Sequence, residues 1–154
     1  MIENINKTKA MYVIKEILDS KGYECHTVEP ESTVYKALQK MAGKDVGALI
    51  VVKDEKVMGV FSERDYARKL VLMGKSSKDT LVGAMMSSRI YTVKLTTTAK
   101  ECMQLMTEQR VRHLPVIEGN KLVGVVSIGD IVNKIIKDKE STIQQLEDYI
   151  TGKR

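Results

Sequence analysis

One string is written twice at a fixed distance. Gly59-Val60-x-Ser62-x-x-Asp65 and Gly124-Val125-x-Ser127-x-x-Asp130 stand 65 positions apart, and the offset holds without a gap from Thr27 and Thr92 to Lys69 and Lys134. Fourteen of the 44 residues between 27 and 70 recur identically between 92 and 135. A repeat at constant period marks one supersecondary unit used twice. Whatever the first copy folds into, the second must fold into as well. A unit of about 45 residues buries too little surface to be comfortable alone, so the copies are expected to pack against each other.

Within each copy the apolar pattern changes period. "CHTV" and "IYTV" read as short strands, and the segments after them carry Val34, Ala37, Leu38 and Met41, then Ala99, Cys102, Met103 and Met106, at helical spacing. Thr33 and Thr98 stand where N-caps belong. "ALIVV" and "HLPVI", the turns "KDEK" and "EGNK", and "VMGVFS" and "LVGVVS" predict hairpins, each followed by a second helix. Each copy is thus β-α-β-β-α. Outside the repeat, Met11, Ile14, Ile17 and Leu18 predict an amphipathic helix over 8 to 21, and Ile143, Leu146 and Ile150 a final one over 138 to 151. Such a stripe docks either on its own domain or on a second subunit.

Bulk properties narrow the function classes. The 154 residues are 43% hydrophobic and 29% charged, a globular composition, and two prolines leave little room for long linkers. Lys15 and Glu16 interrupt the apolar run from Met11 to Leu18, so it is neither a signal-peptide core nor a membrane span, and a cytoplasmic protein is expected. Cys25 and Cys102 lack the paired spacing of a zinc or redox site, and the two scattered histidines, His26 and His113, do not suggest a metal. The net charge of +5 comes without a basic block of five or six residues.

The repeated Ser-x-x-Asp before a helix is first a capping-box pattern. A cap does not require the glycine three residues earlier in each strand, and glycine there implies a close approach to the backbone. The same geometry suits a nucleotide. A helix N-terminus attracts a phosphate, a serine hydroxyl adds a bond, and an aspartate accepts from ribose hydroxyls as acidic residues do in dinucleotide sites.

The doubled "GVFSERD" and "GVVSIGD", with "VGALIVV" and "VRHLPVI" upstream, resemble a tandem pair of CBS domains, a Bateman module. "FSERDYARK" and "RHLPV" with "VSIGDIV" are further similar to small stand-alone bacterial CBS-pair proteins. The resemblance implies an α/β (α+β) fold. Residues 8–73 would form repeat 1 with its N-terminal helix, 80–139 repeat 2, and 140–154 a C-terminal helix and tail, the repeats packing as a pseudo-two-fold pair. It implies adenosine-containing ligands such as AMP, ADP, ATP or NAD in clefts between the repeats, and a homodimer of modules. Asp65 and Asp130 would then hold ribose, with Ser62 and Ser127 beside sugar or phosphate. Backbone at Gly47 and Arg112, with the strands at Thr27 and Thr92, would face the base.

The copies differ between Ser and Asp. Glu63 and Arg64 in the first are Ile128 and Gly129 in the second, and Gly47 and Ala48 are matched by Arg112 and His113. Arg64 offers a planar fork of donors suited to phosphate, and Gly129 admits a ligand against the helix start. Basic side chains from opposite copies are expected to share one phosphate. His113 has no Ser or Cys nucleophile that sequence can pair with it, so no catalysis is expected. Pro115, in place of Ile50, marks a strand edge or a site.

The leading expectation is a non-catalytic adenine-nucleotide sensor acting on another protein or through a dimer. Two alternatives stay open: nucleic-acid binding, suggested by "SERDYARK" and "EQRVRH" but lacking any aromatic-basic motif, and a structural dimerisation module with vestigial clefts.

Overall fold

The computed structural model describes residues 12–151. Its elements follow the doubled pattern: α1 (Ile14–Lys21), β1 (Thr27–Val28), α2 (Val34–Lys44), β2 (Ala48–Lys53) and β3 (Lys56–Ser62) lead to a helical turn, α3 (Glu63–Asp65), that continues as a π-helical segment, Tyr66–Val71. After α4 (Val82–Met85) come α5 (Ala99–Gln109), β4 (His113–Glu118), β5 (Lys121–Ser127) and α6 (Ile128–Thr151). The chain divides into two compact units that do not coincide with the repeats. One gathers the chain up to Gly22, Lys94–Arg112 and the chain from Val126 on; the other holds Tyr23–Val93 and His113–Val125.

In the second of these units β2 lies between β1, parallel to it, and β3, antiparallel. Val51 faces Gly59 while Val52 faces Val57, so Met58 is the extra residue of a bulge. The two-residue turn at Asp54 and Glu55 has positive φ at both positions, and so does its counterpart at Gly119 and Asn120. Both are the mirror-image turns that match strand twist, made in the second copy from residues that favour them. Val34, Ala37 and Met41 of α2, Leu49 and Val51 of β2, Phe61, Leu70, Val82 and Met85 form one buried core.

In the other unit α6 packs against α1 and α5. Ile14, Ile17, Leu18, Ala99, Cys102, Met106, Val126 and Ile131 are its buried apolar residues. Burial pushes the Cys102 thiol up to about 12. Tyr12 is also raised to about 12, first by desolvation and then by its bond to Asp138 on α6. The expected caps are present: Thr33 Oγ1 accepts from Lys36 N–H at 3.2 Å and Thr98 Oγ1 from Glu101 N–H at 3.1 Å.

Three expectations change. The predicted helix over 138–151 is not separate, because nothing in Lys137-Asp138-Lys139-Glu140 breaks a helix and α6 runs on for 24 residues. Its C-terminal stripe does not dock on its own unit: Ile143, Leu146 and Ile150 are 56%, 57% and 81% exposed. "IYTV" shrinks to a single bridge, Val93 to Val116. In the first copy Ile50 N–H donates to His26 C=O at 3.1 Å, and at the 65-residue offset the donor is Pro115, which has no N–H. Pro115 is therefore not at a bare edge. Its carbonyl accepts from Val93 N–H at 3.0 Å, and β5 flanks β4 on the other side. Met11, assigned to the first helix, lies outside the described residues.

Candidate functional site

Each hairpin delivers its Ser-x-x-Asp to a helix start. In the first copy Ser62 Oγ accepts from Asp65 N–H at 3.2 Å and Asp65 Oδ2 accepts from Ser62 N–H at 3.0 Å, a complete capping box. Ser62 Oγ–H also lies 3.1 Å from Asp65 Oδ2, and Lys69 Nζ lies 3.2 Å from Oδ1. In the second copy Asp130 N–H donates to Ser127 Oγ at 3.1 Å and Ser127 N–H to Asp130 Oδ2 at 2.8 Å. The cap is realised twice.

The amides of these helix starts are partly taken up. Glu63 N–H donates to Gly47 C=O and Ile128 N–H to Arg112 C=O, both at 3.0 Å. Gly47 and Arg112 thus lie just before their strands, each with one carbonyl lone pair engaged by its own copy's helix. With the Asp amides bound to serine, the second-position amides, Arg64 and Gly129, are those that these bonds leave over for an anion.

Among the other predicted residues, Ala48 and His113 begin β2 and β4 and are partly buried. Arg64, Arg112, Ile128, Gly129 and Thr92 are exposed. Thr27 is partly buried, and its carbonyl accepts from Lys40 Nζ. The close approach implied at Gly59 is internal. A Cβ there would lie 2.4 Å from Ser87 O and 3.0 Å from Met86 Sδ, so that glycine makes room for the chain's own Met86–Ser87 segment. At Gly129 a Cβ would meet nothing nearer than Ser127 Oγ at 3.7 Å.

One side chain was not anticipated. Lys21, the last residue of α1, places Nζ 2.6 Å from Asp130 Oδ2, with the two side chains 30% and 22% exposed. Sequence held one trace of this. At the 65-residue offset Lys69 recurs as Lys134, but Lys134 lies 3.8 Å from Asp138 and over the Tyr12 ring at 5.7 Å. The two aspartates are thus neutralised by non-equivalent lysines.

Elsewhere, a cavity of about 630 Å³ lined by Pro30, Lys75, Asp79 and Leu81, among others, contains none of the predicted ligand residues. Among the described residues no group of three or more His, Cys, Asp or Glu is arranged to hold a metal ion. No described helix is long and apolar enough to cross a membrane.

The CBS domain family model matches residues 14–72 and 82–137. The mitochondrial CBS domain-containing protein CBSX3 of Arabidopsis thaliana is 39% identical over 151 residues, covering 90% of this chain and 72% of the relative. A solved protein with CBS domains from Burkholderia ambifaria MC40-6 is 44% identical with a TM-score of 0.78, covering 82% of this chain and 95% of the other. A CBS domain pair solved in complex with 5'-methylthioadenosine and S-adenosyl-L-methionine shares the fold at a TM-score of 0.70 and 18% identity, covering 84% and 98%. Doubled hairpins, doubled Ser–Asp caps and these matches agree: the chain belongs to the CBS-domain family and is a CBS pair, a regulatory module.

Proposed function

We propose that this chain is a non-catalytic sensor of adenine nucleotides, binding AMP, ADP, ATP or NAD in clefts between its two repeats. One observation carries it: each copy holds an aspartate at a capped helix start whose carboxylate has acceptor capacity beyond the cap. Both described bonds to Asp130 go to Oδ2, so Oδ1 is available to a ribose hydroxyl. Arg64, Arg112 and His113 are the candidates for phosphate, Ser62 and Ser127 lie beside the sugar, and backbone at Gly47 and Ala48, Thr27 and Thr92 faces the base. The adenosine ligands of the solved CBS pair support the ligand class. The ligand acts by binding one arrangement of the repeats better than another.

The signal passes to a partner protein or through a homodimer. The exposed stripe Ile143, Leu146 and Ile150 supports the dimer. A cytoplasmic location remains the reading, although the plant relative is named as mitochondrial.

Native mass spectrometry of the freshly purified protein, with thermal-shift titrations, tests the ligand class. A retained adenosine ligand, or stabilisation by AMP and not by GMP or CMP, is expected, since a ligand of the native state raises stability by RT ln(1 + [L]/Kd). Equal shifts from all three overturn adenine selectivity. Tight, steeply salt-dependent binding to duplex DNA would favour the nucleic-acid alternative.

A further inference from the structure

We infer that Lys21 is a phosphate-binding cation of the second Asp site, contributed by the N-terminal helix in addition to Arg112 and His113, and that it makes this site select nucleoside phosphates over nucleosides. The inference rests on the adenine-nucleotide reading and deepens it.

An aspartate that accepts from a ribose also repels the phosphate of the same ligand, so the site needs a cation. In the first copy Lys69 binds Asp65 from one turn along, and Arg64 stands beside it in sequence. The second copy has lost both. Gly129 replaces Arg64, and Lys134, the counterpart of Lys69, is drawn to Asp138 and the Tyr12 ring. Lys21 replaces them from another helix, 109 positions away in sequence.

Geometry allows carboxylate and phosphate to be served together. An ammonium has three donors. One is spent on Asp130 Oδ2, and the bonds from Ser127 and Lys21 leave Asp130 Oδ1 to a ribose hydroxyl. The other two N–H groups of Lys21 then serve a phosphate oxygen, next to the Gly129 amide and the positive end of the 24-residue α6. Because α1 packs on α6, phosphate bound through Lys21 is read directly by the N-terminal helix.

Calorimetric titration of wild type, Lys21→Met and Lys21→Arg with AMP and with adenosine tests this. Lys21→Met, which keeps the length of the side chain and removes its charge, should lower AMP affinity at one site by about tenfold to a hundredfold, as loss of a charged hydrogen bond does. Adenosine affinity should stay within about twofold, Lys21→Arg should retain most AMP affinity, and melting curves should show all three proteins folded. An equal loss for AMP and adenosine, or no loss for either, overturns the role of Lys21 while leaving the adenine reading standing. Failure of wild type to bind either ligand overturns both.

Discussion

The carbonyl oxygen of Ser87 lies 2.4 Å from where a Cβ on Gly59 would be. Real Cβ atoms do not sit that close to backbone, and Ser87 is tied to β3 there by Val60 N–H to Ser87 C=O at 3.1 Å and Ser87 N–H to Val60 C=O at 2.9 Å. Gly59→Ala must therefore push the Met86–Ser87 segment away. We expect a loss of about 1 to 3 kcal/mol in denaturant unfolding. Gly47→Ala, whose Cβ would meet only Glu63 Oε2 at 4.0 Å, is the control and should cost under about 1 kcal/mol. Equal stability of Gly59→Ala and wild type would contradict the packing.

Pro115 truncates the second copy's sheet by lacking the amide that Ile50 uses on His26. Restoring an N–H with Pro115→Ala should give residue 115 an exchange-protected amide facing the carbonyl of Tyr91, the counterpart of His26. Net stability should change by no more than about 1 kcal/mol, because the new bond is offset by lost chain stiffness. Fast exchange of that amide in a folded protein would refute the register.

Cys102 is fully buried, and burial raises its thiol from an ordinary 9.0 to about 12. The folded state thus disfavours the thiolate, so the associated stability is complete below about pH 9 and is lost as pH rises toward 12. Tyr12 acts in the same direction between 10.0 and about 12. Melting temperatures should fall over this window, less steeply in Cys102→Ala. At pH 8 a thiol reagent should modify the partly exposed Cys25 first. Equal labelling rates in native protein would contradict the burial.

The repeat, hairpins, helix caps and Ser–Asp turns were legible because each follows from local spacing. Thr33, Thr98 and the Asp54–Glu55 and Gly119–Asn120 turns act within a few residues of themselves. What escaped was non-local. Gly59 looked like a ligand contact because sequence does not reveal that Ser87 bridges to Val60. Lys21 was invisible as a site residue because its partner lies on a helix at the far end of the chain. The π-helical turns at Tyr66–Val71 have no counterpart in the second copy, and no spacing rule distinguishes them from an α-helix. The fusion of two expected helices into α6 was readable in principle from the lack of any glycine or proline between Lys134 and Tyr149.

If the α6 stripe joins two copies, charge at its centre should separate them. Leu146→Lys is expected to halve the mass seen by analytical ultracentrifugation at micromolar concentration without altering the melting of the monomer fold, since the side chain is 57% exposed. A mass unchanged from a wild-type dimer would show that the dimer forms elsewhere, and a wild-type monomer would remove it.

The central claim is that the doubled Ser–Asp turn holds a nucleotide as well as capping a helix, and calorimetry with AMP on Asp65→Ala, Asp130→Ala and the double variant tests it most directly. Loss of the N3 carboxylate, with the serine N-cap still in place, costs about 0.3 to 1 kcal/mol of stability in either case. Loss of a ribose bond to a carboxylate should in addition lower affinity about tenfold to a hundredfold at the altered site. The larger effect is expected at Asp130, whose Oδ1 has no part in the bonds from Ser127 and Lys21, whereas both oxygens of Asp65 are engaged by Ser62 and Lys69. The double variant should bind no AMP at concentrations that saturate wild type. Unchanged AMP affinity in all three variants, with only lowered melting temperatures, would contradict the account and leave the two turns as helix caps alone.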